Sequence, residues 1–390
     1  MMLYLMAVRE HFRGEFMKSS FYFSGVLLTF LLSMFPAKQV AAVTCSISTI
    51  TDTIPLSLSN LSVSPDMPDG TIIYRLKAVP ANTPDLVCNS ATADEYSYSS
   101  YLVLRNEPLP LSSWSGNPFA GKVYQTGVPG IGVSIWFSGQ AATYAEPQII
   151  NTYTNSFQGT YTIKSLINVF DITFIKIGPV SPGTINAGNL PQPKIEIRAA
   201  SSNITNLPVT LRNVNFTGSI NITAPSCQTP DVTVNMGETE IRNTFRGIGS
   251  TSGWVNANFT LVNCPVFYGT YNTGVYLEHN NATGTVTVPD SVPNLLSVTI
   301  MPFTPMIDSE NGIFAIDSSL PDSGSGVGIQ LGYDSGSINP LNLSTPLIYT
   351  TNSQGDPTIT LPFRARYIQT EKIVSPGRAN GKISVIINYK

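Results

Sequence analysis

The chain has 390 residues, 12% of them charged, and a formal net charge of -3. With no cluster of Lys and Arg able to track phosphates, this excludes nucleic-acid binding as a class. The length exceeds one typical domain, and low charge with recurrent Gly, Pro, Ser, Thr and Asn is the profile of an exported all-β protein, so two β domains with separate cores are expected.

Lys18 precedes an apolar run from Phe21 to Phe35, and Val40-Ala41-Ala42 supplies small residues for cleavage after Ala42, the pattern of an export signal. The run is shorter than the roughly 20 residues that span a bilayer. Glu10 and Glu15 sit where a signal carries positive charge, which places the true start at Met17 and makes residues 1–42 leader and signal.

The mature segments that follow are short, alternating and bounded by turn residues. Thr71 to Lys77, Gly132 to Phe137, Thr160 to Ile175 and Lys194 to Arg198 read as strands, and no capped amphipathic helix of useful length appears. A boundary is expected between Ala199 and Asn215, where "AASSNITNLPVTLRNVN" is polar and broken by Pro208. This divides the mature chain into 43–205 and 206–390. Downstream, "VTVNMGETEI", "NANFTLVNC", "TGTVTVPD", "GVGIQLGY" and "TITLPFRARYIQT" repeat the rhythm, which suggests a Greek-key sandwich of immunoglobulin-like type.

The chain's four cysteines fall two to each half, Cys45 with Cys88 and Cys227 with Cys264, without the close spacing of a metal or redox site. Of the three possible connectivities, segregation by half favours the local one. Each closed loop of roughly 40 residues would stabilise the fold by about 4 kcal/mol on a chain-entropy model. Two disulfides also imply an oxidising compartment.

The last stretch, "GKISVIINYK", alternates Ile383, Val385, Ile387 and Tyr389 with Ser384, Ile386 and Asn388, the two-residue period of a strand with at least one buried face. Tyr389 is penultimate and Gly377 is fourteenth from the end of the sequence. Together with "ITAPSCQTPDVTVNMG" around Cys227, "NFTLVNC" at Cys264, "GVGIQL" and "LPFRARY", these features resemble the pilin domain of chaperone–usher fimbriae over roughly residues 210–390.

That resemblance implies an incomplete immunoglobulin-like sandwich of six strands, with a groove beside the last strand that another protein must fill. It implies three partners: a periplasmic pilus chaperone that lends a strand, an outer-membrane usher, and the N-terminal extension of the adjacent pilin subunit. Gly377, Ile383, Val385, Ile387, Tyr389 and Lys390 would form that interface, with the terminal carboxylate at Lys390 set against basic chaperone residues. An unpaired apolar edge is in any case an aggregation template unless a strand covers it.

The first half, through "LSVSPDMPDGTIIYR" from Leu61 and "KVYQTGVPGIGVSIWF" from Lys122, resembles the adhesin domain of two-domain fimbrial adhesins, most closely the type 3 fimbrial adhesins. The resemblance implies a tip position at the bacterial surface and a host glycan or extracellular-matrix protein, such as collagen, as ligand. It supplies no motif for the pocket.

From the residues themselves, the richest surface is Asp94 to Phe119, because sugars need flat aromatic faces and nearby Asp or Asn groups. Asp94, Tyr96, Tyr98, Trp114 and Asn117 are the candidates there, against the alternative that Tyr96, Tyr98 and Tyr101 line one strand face and Trp114 fills the core. His-dependent triads, thiol catalysis and His-rich metal sites lack parts: the mature chain has one histidine, His279, read as a solvated loop residue in "LEHNNATG", and no cysteine outside the two expected disulfides. Asp and Glu scattered through both halves leave paired carboxylates for glycoside hydrolysis open, though enzyme activity is not expected. No catalytic residue, metal site or cofactor is expected. The competing reading is a non-adhesive tip subunit that only initiates assembly.

Overall fold

The alternating segments pair into sheets that enclose two apolar cores. The computed structural model describes residues 42–79, 84–164, 166–280, 284–319 and 321–390, so the export signal and the Met17 start lie outside the described residues. Apart from a 3-10 turn at Ala187–Asn189 and one helical turn at Ile241–Thr244, its regular elements are strands.

The first core is built by four sheets. One orders Gly159–Ile163, Leu86–Ser90, Val43–Ile47 and Ile204–Thr205. A second orders Gln148–Ser156, Glu95–Leu104, Pro193–Ala199, Val209–Thr217 and Ile50–Pro55. The largest centres on Ile72–Val79, Phe170–Lys176 and Ile131–Phe137, and a small one joins Gly183–Asn186, Ser219–Thr223 and Asn60–Ser62.

Phe170–Lys176 shows why this sequence takes a central position. All seven residues are buried, between partners on both sides. A doubly flanked strand must neutralise any charge it buries. Arg75 Nε donates to Asp171 at 2.8 Å, and Lys176 Nζ donates to Asp69 at 2.5 Å. Burial pushes the Asp171 carboxyl up, and Arg75 opposes that shift without cancelling it.

The second core is enclosed by three sheets. Val327–Asp334 pairs with Phe363–Gln369 on one side and Ile313–Ala315 on the other. Phe259–Val262 pairs with Thr358–Leu361, and Leu295–Pro302 lies between Leu347–Thr350 and Ile383–Tyr389. Each core carries one disulfide, Cys45–Cys88 and Cys227–Cys264, the local pairing.

Three readings of the sequence need correction. The segment 199–215 is not a passage between cores: Val209–Thr217 lies between Pro193–Ala199 and Ile50–Pro55, and Val214, Phe216, Ile220 and Ile222 are buried in the first core. By packing, the change of core follows Thr223. His279 is not a solvated loop residue; it is 1% exposed in Leu277–Asn280, which runs parallel to Ile72–Val79. Leu277 and Tyr271 join the first core, and Arg75 places its guanidinium over Tyr276 at 4.6 Å, so this part of the second half is a strap along the Ile72–Val79 edge of the largest sheet. Finally, "VTVNMGETEI" alternates but forms no strand, and Val232 is 45% exposed, because among the described residues no neighbouring strand offers it hydrogen bonds.

Candidate functional site

The strand Ile383–Tyr389 pairs with Leu295–Pro302 from Pro302↔Ile383 to Leu296↔Tyr389. Among the described residues no strand pairs with its other edge. Ile383, Val385 and Ile387 point at the second core and are only half-buried, while Ile386, on the opposite face, is 41% exposed. The result is a row of backbone donors and acceptors beside three apolar side chains that lack full cover.

Both ends of this strand are fixed. Before it, Gly377 has φ +152°, and a Cβ there would stand 2.3 Å from the Gly324 nitrogen, so only glycine lets the two backbones cross. At its end, the Tyr389 ring stacks 6.0 Å from Phe267, and its hydroxyl accepts the Cys227 N–H at 2.9 Å. Burial pushes the Tyr389 phenol up, partly opposed by that bond. The Tyr389 N–H donates to Asp66 Oδ2 at 2.9 Å, and Lys390 exchanges backbone bonds with Leu295. Asp66 belongs to the first half and has no signal in the sequence as a partner of the last strand. Leading into the strand, a cavity of about 450 Å³ is lined by Ile241, Phe245, Val327, Tyr367, Val374 and Ala379, among others.

The five candidate ligand residues of the first half are not gathered into one surface. Tyr96 and Tyr98 are 1% and 0% exposed. Their faces are occupied: Tyr98 stacks on Tyr153 at 5.3 Å, and Tyr96 meets the edge of Phe157 at 5.2 Å. Neither ring can offer a face to a ligand, which corrects that reading. Tyr101 lies on the other side of the strand, under the Arg198 guanidinium at 4.6 Å.

Asp94 precedes the strand Glu95–Leu104, exposed, with one carboxylate oxygen accepting from Thr92 at 2.8 Å. Trp114 and Asn117 come after its other end, about 30 Å along a ten-residue strand. Trp114 Nε1 donates to Pro118 O at 2.9 Å, and a Cβ at Gly116 would come within 2.6 Å of its ring. Trp114 therefore closes its own loop and is not part of the core.

Beside Asp94 in the chain, the Ala93 carbonyl accepts from Ser156 Oγ at 2.5 Å, and Ser156 leads into rings that the sequence did not single out. Phe157 contacts Tyr161 at 5.1 Å, Tyr161 is 49% exposed, and Asn155 Nδ2 donates to the Tyr98 hydroxyl at 3.2 Å. The Tyr96 hydroxyl is buried with no hydrogen-bond partner among the described residues. Burial pushes the Tyr96 phenol up to about 12, with Tyr161 adding to the shift.

Residues 214–390 match the family model of fimbrial protein. No curated protein matches the chain. Among solved structures, the chain is similar to the CupB6 tip adhesin from Pseudomonas aeruginosa, at 13% identity and a TM-score of 0.34, covering 89% of this chain and 94% of that one. It is also similar to the receptor binding domain of the plasmid-born adhesin MrkD1P of Klebsiella pneumoniae, at 20% identity and a TM-score of 0.30, covering 48% and 98%. A third likeness is to a chaperone–tip adhesin complex of CFA/I fimbriae, at 12% identity and a TM-score of 0.22, covering 88% and 97%.

Proposed function

We propose, from the premise that residues 214–390 are a fimbrial protein domain, that this chain is a tip adhesin of a chaperone–usher fimbria. The observation that carries the reading is the open edge of Ile383–Tyr389, three half-buried apolar side chains beside a row of backbone groups that, among the described residues, no strand pairs with. A strand lent by a periplasmic chaperone, and later by the N-terminal extension of the adjacent subunit, would complete it, with an outer-membrane usher directing the exchange. The chain enters this domain directly from Ser219–Thr223 of the first sandwich, so the place of a free donor arm is taken. A subunit built this way accepts a strand and does not pass one on. It stands at the fibre end, where its first sandwich meets a host glycan or matrix protein. The matched family is fimbrial and not a family of enzymes.

Appending an alternating apolar strand after Lys390, through a short turn, tests the edge. Completing the cover of Ile383, Val385 and Ile387 gains about half of the roughly 1.5–3 kcal/mol of a full burial for each, or about 2–4 kcal/mol. The second half should then melt about 5–15 °C higher, while the same appendage with Ser and Asp at the inward positions should leave the melt unchanged. Equal melts for the two appendages would refute the open-edge reading.

Immunogold labelling tests the position. Label is expected at fibre ends, with attachment lost when this chain is deleted. Label along the shaft would exclude a tip subunit, and end label with undiminished attachment would favour an assembly-initiating cap.

A further inference from the structure

At one end of the first sandwich a hydroxyl is buried without a partner, under rings that lead to the surface. Tyr96 is 1% exposed and its hydroxyl has no hydrogen bond among the described residues. A buried phenol usually finds a partner, because leaving a polar group unpaired in an apolar site is costly. Here the surroundings are rings. Tyr96 contacts Phe157, Phe157 contacts the half-exposed Tyr161, and Tyr98 and Tyr153 stack alongside.

The backbone shows how Phe157 comes to lie at this end. Gln148–Ser156 is the edge strand of one sheet and Gly159–Ile163 the edge strand of another. The chain crosses from edge to edge at Phe157 and Gln158, alongside the link 91–94, whose Ala91 and Ala93 carbonyls accept from Gln158 Nε2 at 3.0 Å and Ser156 Oγ at 2.5 Å. This end is also the one turned away from the fibre domain. Tyr98 is level with Ala199, and Ile197 with Val209, after which Val209–Thr217 runs away from this end towards Thr223 and the second core.

We propose that this end of the sandwich binds a neutral sugar ring, a reading that rests on the adhesin function proposed above and gives it a site. Tyr161 offers the exposed aromatic face for C–H stacking, and Phe157 the apolar wall. The Tyr96 hydroxyl makes its missing hydrogen bond to a sugar hydroxyl once Phe157 turns aside. The Asp94 carboxylate, two residues earlier and exposed, accepts from another. Sugar hydroxyls both donate and accept, which suits a site holding one unpaired phenol and one carboxylate. A proline-rich peptide brings carbonyl acceptors but few donors for Asp94. The exposed Asp94 carboxylate would itself repel the charge of an acidic sugar.

Tyr96→Phe is the informative variant, since it deletes one oxygen and no packing. It should leave the thermal unfolding of the full exported chain unchanged or slightly higher. Binding is measured on that chain by saturation-transfer NMR, with methyl glucoside, galactoside and mannoside, N-acetylglucosamine and N-acetylgalactosamine as probes. At least one probe should bind the parent chain, and both Tyr96→Phe and the exposed Tyr161→Ala should weaken it by about tenfold or more, as expected for a lost buried hydrogen bond or stacking face. Absence of binding to every neutral probe overturns the proposal, as does unchanged affinity in both variants. Binding confined to sialylated or sulfated probes, or to a proline-rich triple-helical peptide, overturns it in favour of a different ligand. Fibre-end labelling and attachment are read separately: if both persist in the two variants, the site falls and the adhesin reading stands.

Discussion

A fragment of residues 43–212, cut where the sequence is most polar, should fail to fold as an independent domain. The cut removes Val214, Phe216, Ile220 and Ile222, each 5% exposed or less. At about 1.5–3 kcal/mol for each buried side chain, the loss is about 6–12 kcal/mol. That is comparable to the whole stability of a typical domain, about 5–15 kcal/mol. The cut also takes the parallel partner of Ile50–Pro55 beyond Arg212, and with it the strand Ser219–Thr223 that pairs with Asn60–Ser62. A fragment ending at 223 restores the four side chains but still lacks Leu277 and Tyr271 of the strap. The expected order of melting temperatures is the full exported chain, then 43–223, with no cooperative melt for 43–212. Circular dichroism on the three, purified with disulfides formed, decides it. A cooperative transition in 43–212 would show that the last strands are dispensable to the first core.

The same region shows how far the sequence could be read. A polar, Pro-broken stretch looks alike whether it is a linker or a turn inside a sheet, and only the partners distinguish them. Those partners are Ile50–Pro55 and Asn60–Ser62, some 160 residues earlier, and no local pattern reports such a distance. His279 is the same case: "LEHNNATG" is polar, yet its strand is covered by Ile72–Val79. "VTVNMGETEI" is the converse, a strand-like alternation without a neighbour to pair with.

What was legible is local. The alternation of Ile383, Val385 and Ile387 becomes a strand with those three facing the core, and the cysteines pair within each half. In "EYSYSSYLVL" serines stand on both faces, and Ser99 and Ser100 are both buried, so alternation could not say which tyrosines face inward. The unpaired Tyr96 hydroxyl follows from an ordering of rings drawn from Glu95–Leu104, Gln148–Ser156 and Gly159–Ile163 together.

Asp52→Asn should destabilise the first sandwich by about 3–5 kcal/mol, the cost of stranding a buried charge. Arg212 is 0% exposed, and its Nε donates to Asp52 Oδ2 on the neighbouring parallel strand, a diagonal contact set by the Asp52↔Val214 register. Burial pulls the Arg212 guanidinium below its ordinary range, and Asp52 works to hold it charged. The remaining coordination is poor. Nη1 reaches Asn168 O only at 3.4 Å, and Nη2 and the Asn168 side-chain amide atoms find no partner among the described residues. An ion pair satisfied on one side does not recover its desolvation cost, so replacing both residues differs in kind from removing one. Asp52→Leu combined with Arg212→Met is therefore expected to be neutral or stabilising, whereas Asp52→Asn alone lowers the melting temperature by about 6–20 °C. Thermal melts of the parent, each single variant and the double variant close the cycle. A double variant as unstable as Asp52→Asn would mean that the pair contributes net stability beyond mutual neutralisation.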